Sequence, residues 1–169
     1  MILFRFLPIV LLLSLVFVGI YKHIARINKH TDENDFVMYP SRSLLWIAAI
    51  CITFFSSTIV VMLVFPNDTV SWWGFLIAIL LMALGLFLYW CCIIWEVRVS
   101  GNEIWYTNIL GTTRIFTFDD ISIAKTKITE AYIQVTIYSE KKNLLSVGDV
   151  HFNFQMFMTR LVDKGIKLE

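Results

Sequence analysis

Two long apolar runs come first along the chain, and short alternating segments follow them. Residues 44–65, LLWIAAICITFFSSTIVVMLVF, and 72–95, WWGFLIAILLMALGLFLYWCCIIW, contain no charged residue. A helix needs about 20 apolar residues to cross the hydrocarbon of a bilayer. Lipid offers the backbone no hydrogen-bond partners, so such a run must be helical. The two runs predict an antiparallel membrane hairpin closed by the turn PNDTVS at 66–71. Trp46, Trp72, Trp73, Trp90 and Trp95 stand near the run ends, where tryptophan anchors a span at the interface. Residues 6–21 add 16 uncharged positions behind Arg5. This segment reads as a first membrane helix, about 4–21, or as a secretory signal. FVGIYKH offers no small-x-small cleavage pattern, which favours the helix.

Loop charge sets the direction. Lys22, Arg26, Lys29 and Arg42 lie in the polar stretch 22–43, while 66–71 carries no basic residue. Basic residues mark cytoplasmic loops, and Asp32, Glu33 and Asp35 weigh little against them. The stretch 22–43 is therefore expected as a solvated cytoplasmic loop. The third run then returns the chain to the cytoplasm.

Behind the last run the period changes. Six strands are expected, at 95–100, 103–108, 113–118, 121–128, 132–138 and 144–147, with turns at SGNE, ILGTT, the Asp119–Asp120 corner and SEKKN. In 132–138, Ile133, Val135 and Ile137 alternate with Tyr132, Gln134, Thr136 and Tyr138, the period of a strand with one buried face. Phe154, Phe157, Met158 and Leu161 then fall on one helical face. Asp149 or Asn153 can cap that helix, and Gly165 can stop it. Strands followed by a helix give an α+β domain at 96–169, behind a membrane region at 1–95.

The residues Ile104, Tyr106, Gly111, Phe116, Phe118, Asp120 and Ile121, with Phe157, Leu161 and Gly165, carry a resemblance. The run I-x-Y-x-N-I-L-G-x-x-R-x-F-x-F-D-D-I and the terminal F-x-x-R-L-x-x-K-G-I resemble bacterial pleckstrin-homology-like domains. More closely, they resemble small uncharacterised bacterial membrane proteins that place such a domain behind transmembrane hairpins. The resemblance implies a partly open β-barrel of six to seven strands capped by a C-terminal helix. It implies no catalytic residue.

Composition narrows the function. The hydrophobic share is 58% and the mean hydropathy +0.72, above the roughly 45–50% apolar content of soluble proteins. Residues 97–169 carry nine Lys/Arg and eight Asp/Glu, too balanced for a nucleic-acid surface. Cys51, Cys91 and Cys92 all lie in apolar runs, without metal-ligand spacing. His23 and His30 near Asp32, Glu33 and Asp35 match no metal motif, and lone His151 reads as a surface or cap residue. The glycines are used up by spans, turns and the helix stop, which leaves no phosphate cradle. Neither confident span contains an ionisable residue of the kind that ion pathways use. Ser56, Ser57 and Thr58 suit helix association.

No catalytic, cofactor-binding or metal-binding residue is expected. The expectation is a multi-pass membrane protein with no enzyme activity and no small-molecule substrate. Its cytoplasmic domain binds an unidentified protein partner or a second copy of itself. The alternative is recognition of anionic lipid headgroups by Lys22, Arg26, Lys29, Arg42, Lys125, Lys127, Lys141 and Lys142.

Overall fold

A computed structural model describes residues 3–27, 31–32, 34–64, 71–130, 132–140 and 142–169, with side chains from residue 13 on except 26–31. The chain forms two compact units, one from Met1–Arg26 and Arg42–Ile93, the other from Ile27–Ser41 and Ile94–Glu169.

The first unit is helical: α1 (Leu3–Ile27), α2 (Arg42–Val64) and α3 (Trp72–Ile94). Among the described residues, α2 and α3 are long and apolar enough to cross a membrane. Their boundaries fall within two residues of those expected. Val16 and Ile20 of α1 pack with Leu45, Ala49 and Ile52 of α2 and Cys92 of α3. The Tyr89 hydroxyl donates to the Val16 carbonyl at 2.8 Å. Gly19 makes room for it, since a Cβ there would overlap the Tyr89 oxygen. Ser56 is buried and donates to Met82 Sδ on α3, whereas Ser57 and Thr58 turn back to carbonyls of their own helix.

The second unit is α+β. Its first sheet is antiparallel, in the order β1 (Thr31–Asp32), β2 (Asp35–Met38), β3 (Glu96–Ser100), β4 (Glu103–Thr107) and β5 (Thr113–Thr117). A 3-10 turn at Phe118–Asp120 leads to the second sheet, β6 (Ile123–Ile128), β7 (Ile133–Ser139) and β8 (Lys142–Gly148), and then to α4 (Phe154–Asp163). The six strands expected after residue 95 are present. They belong to two open sheets with no ladder between them, rather than to one partly open barrel, because β5 and β8 do not pair. Phe36, Met38, Val97, Val99, Ile104 and Phe116 from the first sheet meet Val135, Ile137, Leu145 and Val147 from the second. Phe154, Phe157 and Leu161 of α4 complete this core.

Three expectations are corrected here. The stretch 22–43 is not a solvated loop. Residues up to Ile27 extend α1, with His23 buried, and β2 pairs with β3 from Asp35↔Ser100 to Met38↔Val97. Phe36 and Met38 face the core, while Val37 and Tyr39 pack against Phe152 on the other face. A strand covered on both faces shows no alternation, and the charges around FVMY hid it. Trp95 is not an open anchor at the end of α3: only 9% exposed, it belongs to the core of the second unit. Its ring lies 4.3 Å from that of His151 and 6.3 Å from that of Tyr106. Asn153 holds the N-cap position of α4 but does not cap it; its side-chain amide donates to the Val37 carbonyl at 2.9 Å. The C-terminal stop is as expected, with Gly165 N–H bonded to the Val162 carbonyl and Ile166 N–H to the Leu161 carbonyl.

Candidate functional site

A sheet edge presents unpaired N–H and C=O groups, so how each edge is covered decides where another chain can add. The outer edge of β2 is covered by the chain itself. β1 pairs with its first half, and beyond it the Phe152 N–H donates to the Tyr39 carbonyl, next to a Pro40–His151 bridge. The edge of β6 is covered by the C-terminal residues, through Ala124 N–H to the Lys167 carbonyl and Glu169 N–H to the Ala124 carbonyl. β5 and β8 differ. Among the described residues, no backbone hydrogen bond joins the outer edge of β5 to another segment, and that of β8 is engaged only at its end, where the His151 N–H donates to the Gly148 carbonyl and the Gly148 N–H to His151 Nδ1.

The edge of β8 borders a groove of about 400 Å³ lined by Tyr106, Asn108, Arg114 and the run Asn143, Leu144, Leu145 and Ser146. Strand alternation explains the lining. Ile104, Tyr106 and Asn108 share the inner face of the first sheet, as do Arg114 and Phe116. The core residues Ile104 and Phe116 therefore give way to polar side chains at this end of the sheet. Arg114 pairs across the ladder with Tyr106, is exposed, and has no ion-pair or hydrogen-bond partner among the described residues. A guanidinium beside amides suits a carboxylate. The Ser146 hydroxyl bonds to Gln134 Nε2 at 2.7 Å and to Thr136 Oγ1 at 3.0 Å, neither of which is a base. Sequence reasoning passed over Arg114 and Asn143. The available signal was TRIFT, which puts an arginine on the same strand face as a core phenylalanine.

The acid pair Asp119–Asp120 turns a corner, as expected. Asp120 Oδ2 accepts from the Thr117 N–H at 2.7 Å and the Thr117 hydroxyl at 2.8 Å, and Asp119 Oδ2 accepts from Asn102 at 2.7 Å. The bond from the Thr117 backbone, with that from its hydroxyl, holds the Asp120 carboxyl below the usual carboxylate range. Its stabilising effect is therefore present above the ordinary carboxylate pKa and lost as pH falls through the depressed one. Asp120→Asn is expected to lower the urea midpoint at neutral pH, with the gap to the natural chain closing on acidification. His151 is half-buried against Trp95, and burial lowers its pKa. Stability linked to it is full above the ordinary histidine pKa and falls as the pH drops below that value.

The described ones among the eight basic residues are spread over α1, α2, β6 and β8. Lys22 is exposed on α1, the Arg26 side chain lies outside the described part, and Arg42 opens α2. Lys29 and Lys141 lie outside the described residues. Lys125 and Lys127 share one exposed face of β6, with Lys125 Nζ 5.9 Å from the Tyr138 ring centroid. Lys142 starts β8, which is separated from β6 by β7. His23 and the acids Asp32 and Asp35 fall in different units, while His30 and Glu33 are outside the described residues.

These features define a class: apolar helices of membrane-spanning length carrying an α+β unit whose polypeptide is interrupted by the α2–α3 hairpin. The model of a family of unknown function, DUF6560, matches residues 5–168, and the chain belongs to that family. No curated protein and no solved structure matches it.

Proposed function

We propose that the chain is an integral membrane protein without a reaction of its own. Its α+β unit works at the cytoplasmic face by pairing with an extended segment of a protein partner or of a second copy of the chain. The observation that carries this reading is the uncovered edge of β8 beside Arg114. Main-chain pairing supplies affinity at such an edge, and flanking side chains supply selectivity. A four-stranded meander (β2–β5), a three-stranded one (β6–β8) and a terminal helix support the pleckstrin-homology-like resemblance.

The ladder between β2 and β3 bears on topology. These strands flank the α2–α3 hairpin, and strands that pair lie on one side of any bilayer the hairpin enters. The basic residues of 22–43 favour the cytoplasm for that side. Headgroup recognition by the eight basic residues has less support, because among the described ones only Lys125 and Lys127 share a strand face.

A photo-crosslinking residue at Asn143, in membranes of cells that naturally carry the chain, tests the reading. A discrete crosslinked species is expected at Asn143, weakened by Arg114→Glu, with none at exposed Glu130. No yield at Asn143 above Glu130 overturns the edge as an interface. A phosphatase fused after Glu169 is expected to be inactive and a fluorescent protein fluorescent; an active phosphatase overturns the cytoplasmic assignment.

A further inference from the structure

The β4–β5 turn, residues 108–112, carries two apolar side chains at its tip. Leu110 is 81% exposed and Ile109 is 42% exposed. In water this placement wastes apolar surface. The turn is nevertheless built rigidly. Asn108 Oδ1 accepts from the N–H groups of Leu110 at 2.9 Å and Thr112 at 3.0 Å. The Gly111 N–H donates to the Asn108 carbonyl, and the Asn108 N–H to the Thr112 carbonyl. Gly111 adopts φ +79°, which a side chain would oppose. The hydroxyls of Thr107 and Thr113 bond across the base of the turn at 3.0 Å. The N–H groups of Asn108, Leu110, Gly111 and Thr112 are thus satisfied from within, which lowers the cost of bringing this backbone toward lipid.

Chain connectivity limits where this tip can be. Trp95 alone separates Ile94, the last residue of α3, from Glu96, and Glu96 pairs with Thr107. Two residue steps and one strand spacing give a path of roughly 12 Å from the end of α3 to the base of the turn. Headgroups extend about 5–8 Å beyond each face of the hydrocarbon.

We propose that the β4–β5 turn is a membrane finger: Ile109 and Leu110 enter the headgroup–acyl boundary of the leaflet where α3 ends. The proposal rests on the reading of α3 as a span. The finger fixes the domain's tilt against the bilayer at a second point besides its covalent tethers.

The full chain in nanodiscs of phosphatidylcholine and phosphatidylglycerol tests it. Cys51, Cys91 and Cys92 are replaced by Ala, and a nitroxide is placed in turn at Leu110→Cys, at Leu80→Cys in α3 and at Glu103→Cys at the far end of β4. Leu80 and Leu110 are expected to be more accessible to oxygen than to a water-soluble nickel chelate, and Glu103 the reverse. A lipid-like Leu80 with a Leu110 that behaves as Glu103 does overturns the finger and leaves the span intact. A nickel-accessible Leu80 removes the span and the finger with it. A Leu110 shielded from both reagents is covered by protein, which also overturns the proposal. Should the cysteine replacements unfold the chain, Leu110→Trp with native cysteines gives the same decision through bromine-labelled lipids. Several-fold stronger quenching of the added fluorescence than of Glu103→Trp is expected, and equal quenching overturns the finger.

Discussion

A fragment of residues 95–169 is expected to remain unfolded, and the same fragment joined to residues 31–41 is expected to fold. Without β2 the sheet loses Phe36, Val37, Met38 and Tyr39, all essentially buried. At about 1.5–3 kcal/mol for each buried side chain, the loss is roughly 6–12 kcal/mol. A domain of this size has only about 5–15 kcal/mol in total. The fragment also loses the Asn153 bond to Val37 and the Phe152 bond to Tyr39, which hold the approach to α4. Met38 and Val97 are ladder partners, so a linker of about four to six Gly/Ser residues in place of the helical hairpin can close β2 onto β3. Dispersed amide resonances and a cooperative melt are expected for the joined chain and not for the fragment. A cooperatively folded fragment would show that β2 is dispensable.

Phe157→Ala is expected to cost about 3–5 kcal/mol, the range for truncating a buried aromatic. Phe157 is fully buried, projects from α4 into the core, and its ring lies 6.4 Å from that of Phe118. For a domain of this size the melting temperature should fall by at least about 12 °C. Gln155, exposed on the same helix, serves as the comparison, and its replacement by Ala should change stability by less than about 0.5 kcal/mol. Thermal unfolding of the full chain in nanodiscs, followed by proteolysis of the second unit, measures both. A Phe157→Ala shift as small as that of Gln155→Ala would mean that α4 does not close this core.

Much of this architecture is legible in the residues, and the omissions have physical causes. Period-two alternation reveals β7, the turns around Gly101 and Gly111 reveal the β3–β5 meander, and the i, i+3, i+4, i+7 stripe reveals α4. These signals are local. β2 has no alternation, since both of its faces are covered, and its partner lies beyond the hairpin in sequence. Trp95 reads as a membrane tryptophan from its neighbours, because only the fold brings His151 and Tyr106 to it. The corner at Asp119–Asp120 is visible because it depends on residues nearby, and Thr117 supplies both bonds to Asp120. The groove was not visible. Arg114 acquires meaning only when β8, from a second sheet, borders the first.

The interruption of the sheet by the helical hairpin also sets an order in time. β2 leaves the ribosome roughly 60 residues before β3, a wait of several seconds at about 5–20 residues per second. During that wait Val99 and Val97, the ladder partners of Phe36 and Met38, have not yet been made. The sheet can begin to close only after α2 and α3 have been synthesised. A hairpin inserted with one end on the wrong side would leave β2 and β3 permanently apart. As the proposed membrane hairpin, α2 and α3 must therefore return the chain to the side it left before this small domain can be completed.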